Sequence, residues 1–277
     1  TQTSPHLLSM TATPIPRSLA LTIFGDLAIS TLRQMPQGRR PIGTAVVLES
    51  QRSEMWKHIK KEVEQGHQVY VVCPLIDPSD VLGTKSVKEI AVLLNKEALK
   101  GLRIEVVHGK MKSDEKQATL EAFRKRTIDV LIATTVVEVG VEVPNATVMV
   151  IMGAERFGLA QLHQLRGRIG RSNVDSFCYL LPDNAFGPAV ERLKLVERIQ
   201  DGFVLAEEDL KLRGSGNVFG TAQSGFPDFK LATEADVDMM KKAHDHAVSF
   251  LQKDPDVSGH PLLQEQIAQA FDRVHLE

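Results

Sequence analysis

Between Gly43 and Leu181, short runs rich in Val, Ile, Leu and Thr alternate with longer helical patterns, and this alternation limits the fold more than any other feature of the chain. Strand, helix and strand in repeated succession build βαβ units, whose strands run parallel and need helices over both faces. The candidate strands are residues 45–49, 69–75, 104–108, 129–133, 147–152 and 177–181. Helical patterns fill 52–65 and 87–100. Ser113 is expected to cap a further helix through Arg126, its hydroxyl accepting an orphaned backbone N–H, with Asp114 and Glu115 favourable in the first turn. The predicted architecture is an α/β three-layer sandwich with a mainly parallel sheet and right-handed crossovers.

After Pro182 the β signal stops. Residues 189–200 and 206–211 read as helix, a glycine-rich loop runs from Gly214 to Gly225, and helical patterns at 234–252 and 261–275 are separated by the breaker Asp254-Pro255-Asp256. A boundary near Asp183 would divide the 277 residues into one α/β domain and a small helical C-terminal module. No apolar run reaches about eighteen residues, and Thr1-Gln2-Thr3-Ser4-Pro5 lacks the form of a signal peptide, so no membrane partner and a cytoplasmic location are expected. Cys73 and Cys178 sit inside apolar runs and read as reduced core thiols. The nine histidines form no pair such as H-E-x-x-H, so no metal held by this chain alone is expected. A net charge of −2 argues against a simple basic nucleic-acid coat, although charge can still be segregated locally.

Chemistry enters most strongly at Gln164-Leu165-Arg166-Gly167-Arg168-Ile169-Gly170-Arg171. If this Q-x-x-G-R-x-x-R spacing lies on a short helix, Gln164, Arg168 and Arg171 fall near one face. A planar guanidinium binds phosphate oxygens in bidentate fashion and can stabilise the charge of γ-phosphoryl transfer as an arginine finger does. The competing reading is a solvated basic helix end, which two interrupting glycines make a poor description. The segment resembles motif VI of superfamily 2 helicases, which implies catalytic roles for Arg168 and Arg171 and nucleotide contacts for Gln164 and Gly167.

About thirty residues earlier, Ala133-Thr134-Thr135 and the following Val136-Val137-Glu138-Val139-Gly140-Val141-Glu142 resemble helicase motif V. Hydroxyls at a strand end can contact a DNA phosphate, and Gly140 permits a close turn that points Glu142 toward the nucleotide or motif VI. At the front, Thr11-Ala12-Thr13-Pro14-Ile15-Pro16-Arg17 resembles motif III, with Thr11 and Thr13 as hydroxyls placed between nucleotide and DNA sites; the bland alternative is a proline-rich linker.

Beyond motif VI, Leu205-Ala206-Glu207-Glu208-Asp209-Leu210-Lys211-Leu212-Arg213-Gly214 and Phe219-Gly220-Thr221-Ala222-Gln223-Ser224-Gly225 resemble the translocation motif of the RecG family. In that family a helical hairpin and loop turn ATP-driven lobe closure into movement along duplex DNA. The resemblance matches Arg192, Arg213 and Gln223 to the polar residues that link hairpin and loop, a charge-assisted network suited to a two-state element. Ala222, Ser215 and Asn217 depart from the family pattern, and a glycine loop that merely ends a helix is the alternative.

No G-x-x-x-x-G-K-[ST] loop and no acidic strand end for Mg²⁺ occur; His108-Gly109-Lys110 and Asp114-Glu115 read as turn and helix start. Arginine fingers without a phosphate loop imply a partner lobe, so the chain is expected to be part of a longer protein and inactive toward ATP alone. The resemblance then implies a motif III segment and linker at 1–19, a second RecA-like lobe at 20–182, and a translocation hairpin, loop and helices at 183–277. It further implies ATP and Mg²⁺ in the full-length protein. The implied partners are branched and duplex DNA, the N-terminal RecA-like lobe and a wedge domain. The implied role is remodelling of stalled forks and Holliday junctions. A transcription-repair coupling factor shares these motifs, and a non-catalytic docking module is a rival of another class. No G-x-G-x-x-G follows any strand, which sets aside a dinucleotide enzyme.

Overall fold

A computed structural model describes residues 8, 10–11, 30–32, 40–74, 87–96, 98–134, 143–184, 186–213 and 237–273. Six strands, β1 (Ile42–Val46), β2 (Gln68–Val72), β3 (Ile104–Val107), β4 (Val130–Ala133), β5 (Ala146–Met152) and β6 (Ser176–Leu181), form one parallel sheet in the order β1-β6-β5-β2-β4-β3. The helices around it are α1 (Arg52–Glu64), α2 (Val87–Lys96), α3 (Ser113–Arg124), α4 (Leu159–Arg166) and α5 (Pro188–Arg198).

Period-2 alternation along the strands sends side chains into two separate cores. Tyr70, Val72, Leu131, Met149, Ile151, Cys178 and Leu180 pack with Phe123 of α3, the leucines of α4, and Leu193 and Val196 of α5. Val69, Val71, Ile132, Val148 and Val150 pack on the other face with Met55 and Ile59 of α1 and Val87 and Leu94 of α2. The expected three-layer α/β sandwich is therefore present, with both faces of the central strands dry. Cys73 and Cys178 belong to opposite cores, and burial pushes each thiol up to about 12. Neither is a reactive thiolate near neutral pH.

Several local expectations change. The first strand lies at Ile42–Val46 instead of 45–49, because the edge pairing aligns Ile42 with Ser176 and Gly43 with Phe177, and Glu49–Gln51 form a short 3₁₀ turn. Ser113 does not cap α3; Lys112 holds the N-cap position with no side-chain hydrogen bond. That helix stops at Arg124, and Arg126 enters the left-handed region (φ 61) with Thr127 N–H bonded back to Ala122 O. On the other face α2 ends at Lys96, short of residue 100.

Gln68 shows how a polar residue can hold the layers together. It is buried at the start of β2, and its Nε2 donates to Phe123 O and Ile128 O at 2.7 Å each, joining the end of α3 to the approach of β4. Gln68→Leu is expected to lower the unfolding free energy by about 1–3 kcal/mol, since two carbonyls each lose a buried side-chain donor. Urea denaturation measures this, and an unchanged midpoint would mean that the lost bonds are replaced locally.

The chain divides into two compact units after Leu205, the first including Arg33–Leu205 and the second Ala206–Glu277. Asp183 therefore marks a change of secondary structure, while compact packing of the first unit continues through α5, because Leu193, Val196 and Leu205 share the core of α4. Helix α6 (Gly202–Arg213) starts at Asp201, whose Oδ1 accepts the N–H groups of Phe203 and Val204 at 2.7 and 3.2 Å. In the second unit, α7 (Val237–Lys253) and α8 (Pro261–Arg273) are separated at the anticipated breaker. Asp254 accepts backbone N–H groups from Ser258 and Gly259, bonds that hold its carboxyl below the ordinary range. Among the described residues no helix is long and apolar enough to cross a membrane.

Candidate functional site

Helix α4 starts at Gly158, whose N–H donates to Gln161 Oε1 at 3.1 Å. Leu159, Leu162 and Leu165 are fully buried and fasten it to the sheet, leaving Gln164 half-buried. The helix ends at Arg166, so Arg168 and Arg171 are not on it. Helical spacing was the expected reason for bringing them near Gln164; the structure instead carries both arginines on a turn after the helix. Gly167 caps the helix, its N–H bonded to His163 O at 2.9 Å, and Arg168 N–H reaches Leu165 O at 2.9 Å. Ile169 plugs into the core, and Gly170 reverses the chain with φ 68. A Cβ on Gly170 would stand 2.9 Å from Ile42 Cγ1, so this glycine is required both by conformation and by space.

Between these anchors Gly167, Arg168 and Arg171 stay half-buried. Burial pushes the Tyr70 phenol on β2 up to about 12, and the charges of Arg168 and Arg171 both act on it in the opposite sense. Arg168 and Arg171 are three residues apart on one turn, and both guanidinium charges reach the same phenol.

Arg166 was overlooked by the sequence reading. It is 2% exposed, and its Nη1 donates to Val196 O at 2.6 Å and Ile199 O at 3.0 Å, its Nη2 to Gln200 O at 3.1 Å, with His163 Nδ1 3.0 Å away. Desolvation lowers its pKa, although a guanidinium remains charged. A signal existed: Arg166 falls seven residues after Leu159 and four after Leu162, on the apolar face.

Arg192 on α5 works in the reverse direction. Its Nη2 donates to Glu155 O at 2.5 Å and Phe157 O at 3.0 Å, just before α4. Two arginines therefore tie α5 to the chain on either side of α4, Arg192 to the segment before it and Arg166 from its last residue. Thr134 directly follows β4 and is buried; its N–H donates to Val107 O at 3.3 Å, and its hydroxyl has no partner among the described residues. Thr11 is exposed. Arg213 ends α6, with its side chain outside the description, and Thr13, Thr135, Gly140, Glu142 and Gln223 lie outside the described residues altogether. Among the described residues no group of three or more His, Cys, Asp or Glu side chains is placed to hold a metal ion.

The parallel sheet, with the Gly167–Arg171 turn leaving α4, defines the C-terminal RecA-like lobe of a helicase. Residues 51–173 match the family model of the helicase conserved C-terminal domain, and residues 199–268 match that of ATP-dependent DNA helicase RecG, domain 3, C-terminal. The chain is 46% identical over 272 residues to ATP-dependent DNA helicase RecG of Synechocystis sp., covering 98% of this chain and 33% of that protein. It is 47% identical over 229 residues to the RecG of Streptococcus pneumoniae, covering 83% of this chain and 34% of the relative. A solved structure of RecG bound to a three-way DNA junction aligns with a TM-score of 0.66 and 40% identity, over 84% of this chain and 30% of that one. The chain belongs to the RecG family, and it spans about a third of the length of the relatives it matches.

Proposed function

We propose that this chain supplies the second motor lobe and the translocation module of an ATP-dependent DNA helicase that remodels stalled replication forks and Holliday junctions in repair and recombination. The observation that carries this reading is the Gly167–Arg171 turn that directly follows α4, on which Arg168 and Arg171 stay half-buried on either side of the buried anchors Ile169 and Gly170. ATP, bound mainly by a first RecA-like lobe together with Mg²⁺, supplies the phosphoryl group whose transfer drives the motor. Arg168 and Arg171 fit that group as a pair of cations presented to its γ-phosphate, and Gln164, Gly140, Glu142 and Gly167 contribute nucleotide contacts. Thr11, Thr13, Thr134 and Thr135 serve the DNA side of the cycle, and Arg192, Arg213 and Gln223 pass the stroke to duplex DNA. A wedge domain elsewhere in the longer protein would split the fork, and the cytoplasm is its proposed location.

DNA-stimulated ATP hydrolysis, measured for this chain beside the full-length gene product on forked and linear duplex DNA, tests the reading. The expected result is no turnover by the 277-residue chain and fork-stimulated turnover by the full-length protein. Hydrolysis by the chain alone would show a complete nucleotide site within it, and a full-length protein silent on every DNA would favour a non-catalytic docking module.

A further inference from the structure

Arg166 spends a buried charge on main-chain carbonyls of one short stretch. Its partners among the described residues are Val196 O, Ile199 O, Gln200 O and His163 Nδ1, and no carboxylate is among them. Helix α5 ends at Arg198, so the carbonyls that Arg166 collects include ones for which the helix has no further N–H donor. They also form the negative end of the helix dipole, where a cation is favoured. For core packing alone an aliphatic side chain would serve, since a buried charge carries a desolvation cost that apolar replacements avoid. A planar fork bonded to three carbonyls fixes both the position and the direction of what it holds.

What it holds is the root of α6. Gln200 is followed by Asp201, whose carboxylate caps α6, and α6 runs to Arg213. Gln200 also donates from Nε2 to Ile42 O at 3.1 Å, and the Ile42 side chain lies directly against Gly170. The circuit closes on itself: turn, Arg166, residues 196–200, strand β1, and back to the turn.

We propose that Arg166 is a positioning residue that locks the root of α6 to the Arg168–Arg171 turn, so that displacement of the turn during ATP hydrolysis is passed to the helix carrying Arg213. The inference rests on the nucleotide role proposed above for Arg168 and Arg171. It makes no contact between Arg166 and ATP or DNA; Arg166 sets how much movement each hydrolysed ATP delivers.

The test uses the full-length protein on forked DNA and reads hydrolysis and unwinding in parallel, with thermal melting of each variant. Arg166→Met keeps the bulk of the side chain and removes the fork. It is expected to hydrolyse ATP within about threefold of wild type while base pairs opened per ATP fall at least about tenfold. Arg166→Lys keeps charge and donors without the planar geometry and is expected to recover part of that ratio. Gln200→Leu loosens the same circuit without disturbing the buried guanidinium, and should lower the ratio about threefold while the melting temperature falls by only about a few degrees. An unchanged ratio in Arg166→Met overturns the proposal, as does a parallel loss of both activities with no rescue by Lys. If Arg166→Met does not fold, Gln200→Leu decides, and a wild-type ratio in it is the overturning result. Failure of the underlying reading is visible separately, as wild-type hydrolysis in Arg168→Ala.

Discussion

Arg168→Ala in the full-length protein is expected to slow DNA-stimulated ATP hydrolysis by about a thousandfold, with affinity for forked DNA held within about twofold. A thousandfold corresponds to about 4 kcal/mol of transition-state stabilisation, the scale on which an arginine finger acts. The effect falls on turnover because the guanidinium meets charge that develops during phosphoryl transfer. Arg168 also stands outside α4 on a turn anchored by Ile169 and Gly170, so shortening it leaves the leucine anchors of the helix untouched. Arg168→Lys should remain slow as well, since a point charge on a flexible stem does not reproduce a planar fork. Single-turnover hydrolysis and fork binding measured on the same preparations check this. Turnover near the wild-type rate would remove the catalytic assignment, and an equal loss of DNA affinity would reassign Arg168 to the DNA side.

The second large effect is on stability. Gly170→Ala should destabilise the chain by about 3 kcal/mol, combining roughly 1–2 kcal/mol for a left-handed alanine with a further 1–3 kcal/mol for overpacking the core. The clash is with Ile42 Cγ1, at the middle of a buried side chain with little freedom to move. Gly101 is a control: its φ is also positive, and a Cβ there meets nothing within 4 Å. Gly101→Ala therefore carries the conformational cost alone, and urea unfolding of the two variants separates strain from collision. Removing the obstacle with Ile42→Ala should make the double variant less unstable than the sum of the singles. Strict additivity would show that Gly170 and Ile42 do not meet as described.

These two residues also show where reading from sequence succeeds. Six β-rich runs at the right spacing were enough to expect a parallel α/β sandwich, and each run overlaps a strand of the sheet. Edges were less legible. Strand β1 slid by three residues because its position follows from pairing with β6, a partner more than a hundred residues away, and local pattern carries no information on that register. The Ser113 cap failed for a related reason: a hydroxyl is only one way to start a helix, and α3 begins one residue earlier in backbone geometry, at Lys112.

At the site, residue types alone pointed to Gln164, Arg168 and Arg171, since phosphate chemistry needs a fork of donors and the glycine spacing is too regular for a plain helix end. Their arrangement did not follow from a helical wheel, because Gly167 ends the helix and Gly170 turns the chain. Arg166 was hidden for the opposite reason, a charged residue on an apolar face whose partners are backbone carbonyls thirty or more residues downstream. Composition and spacing by themselves determined the layered fold and singled out Gln164, Arg168 and Arg171 as the candidate site, because hydrophobic period and side-chain type are local properties. Only the tertiary structure decided how the turn is aimed and that Arg166 and Arg192 tie α5 to α4 and to the segment before it, because those bonds exist only between segments that folding brings together.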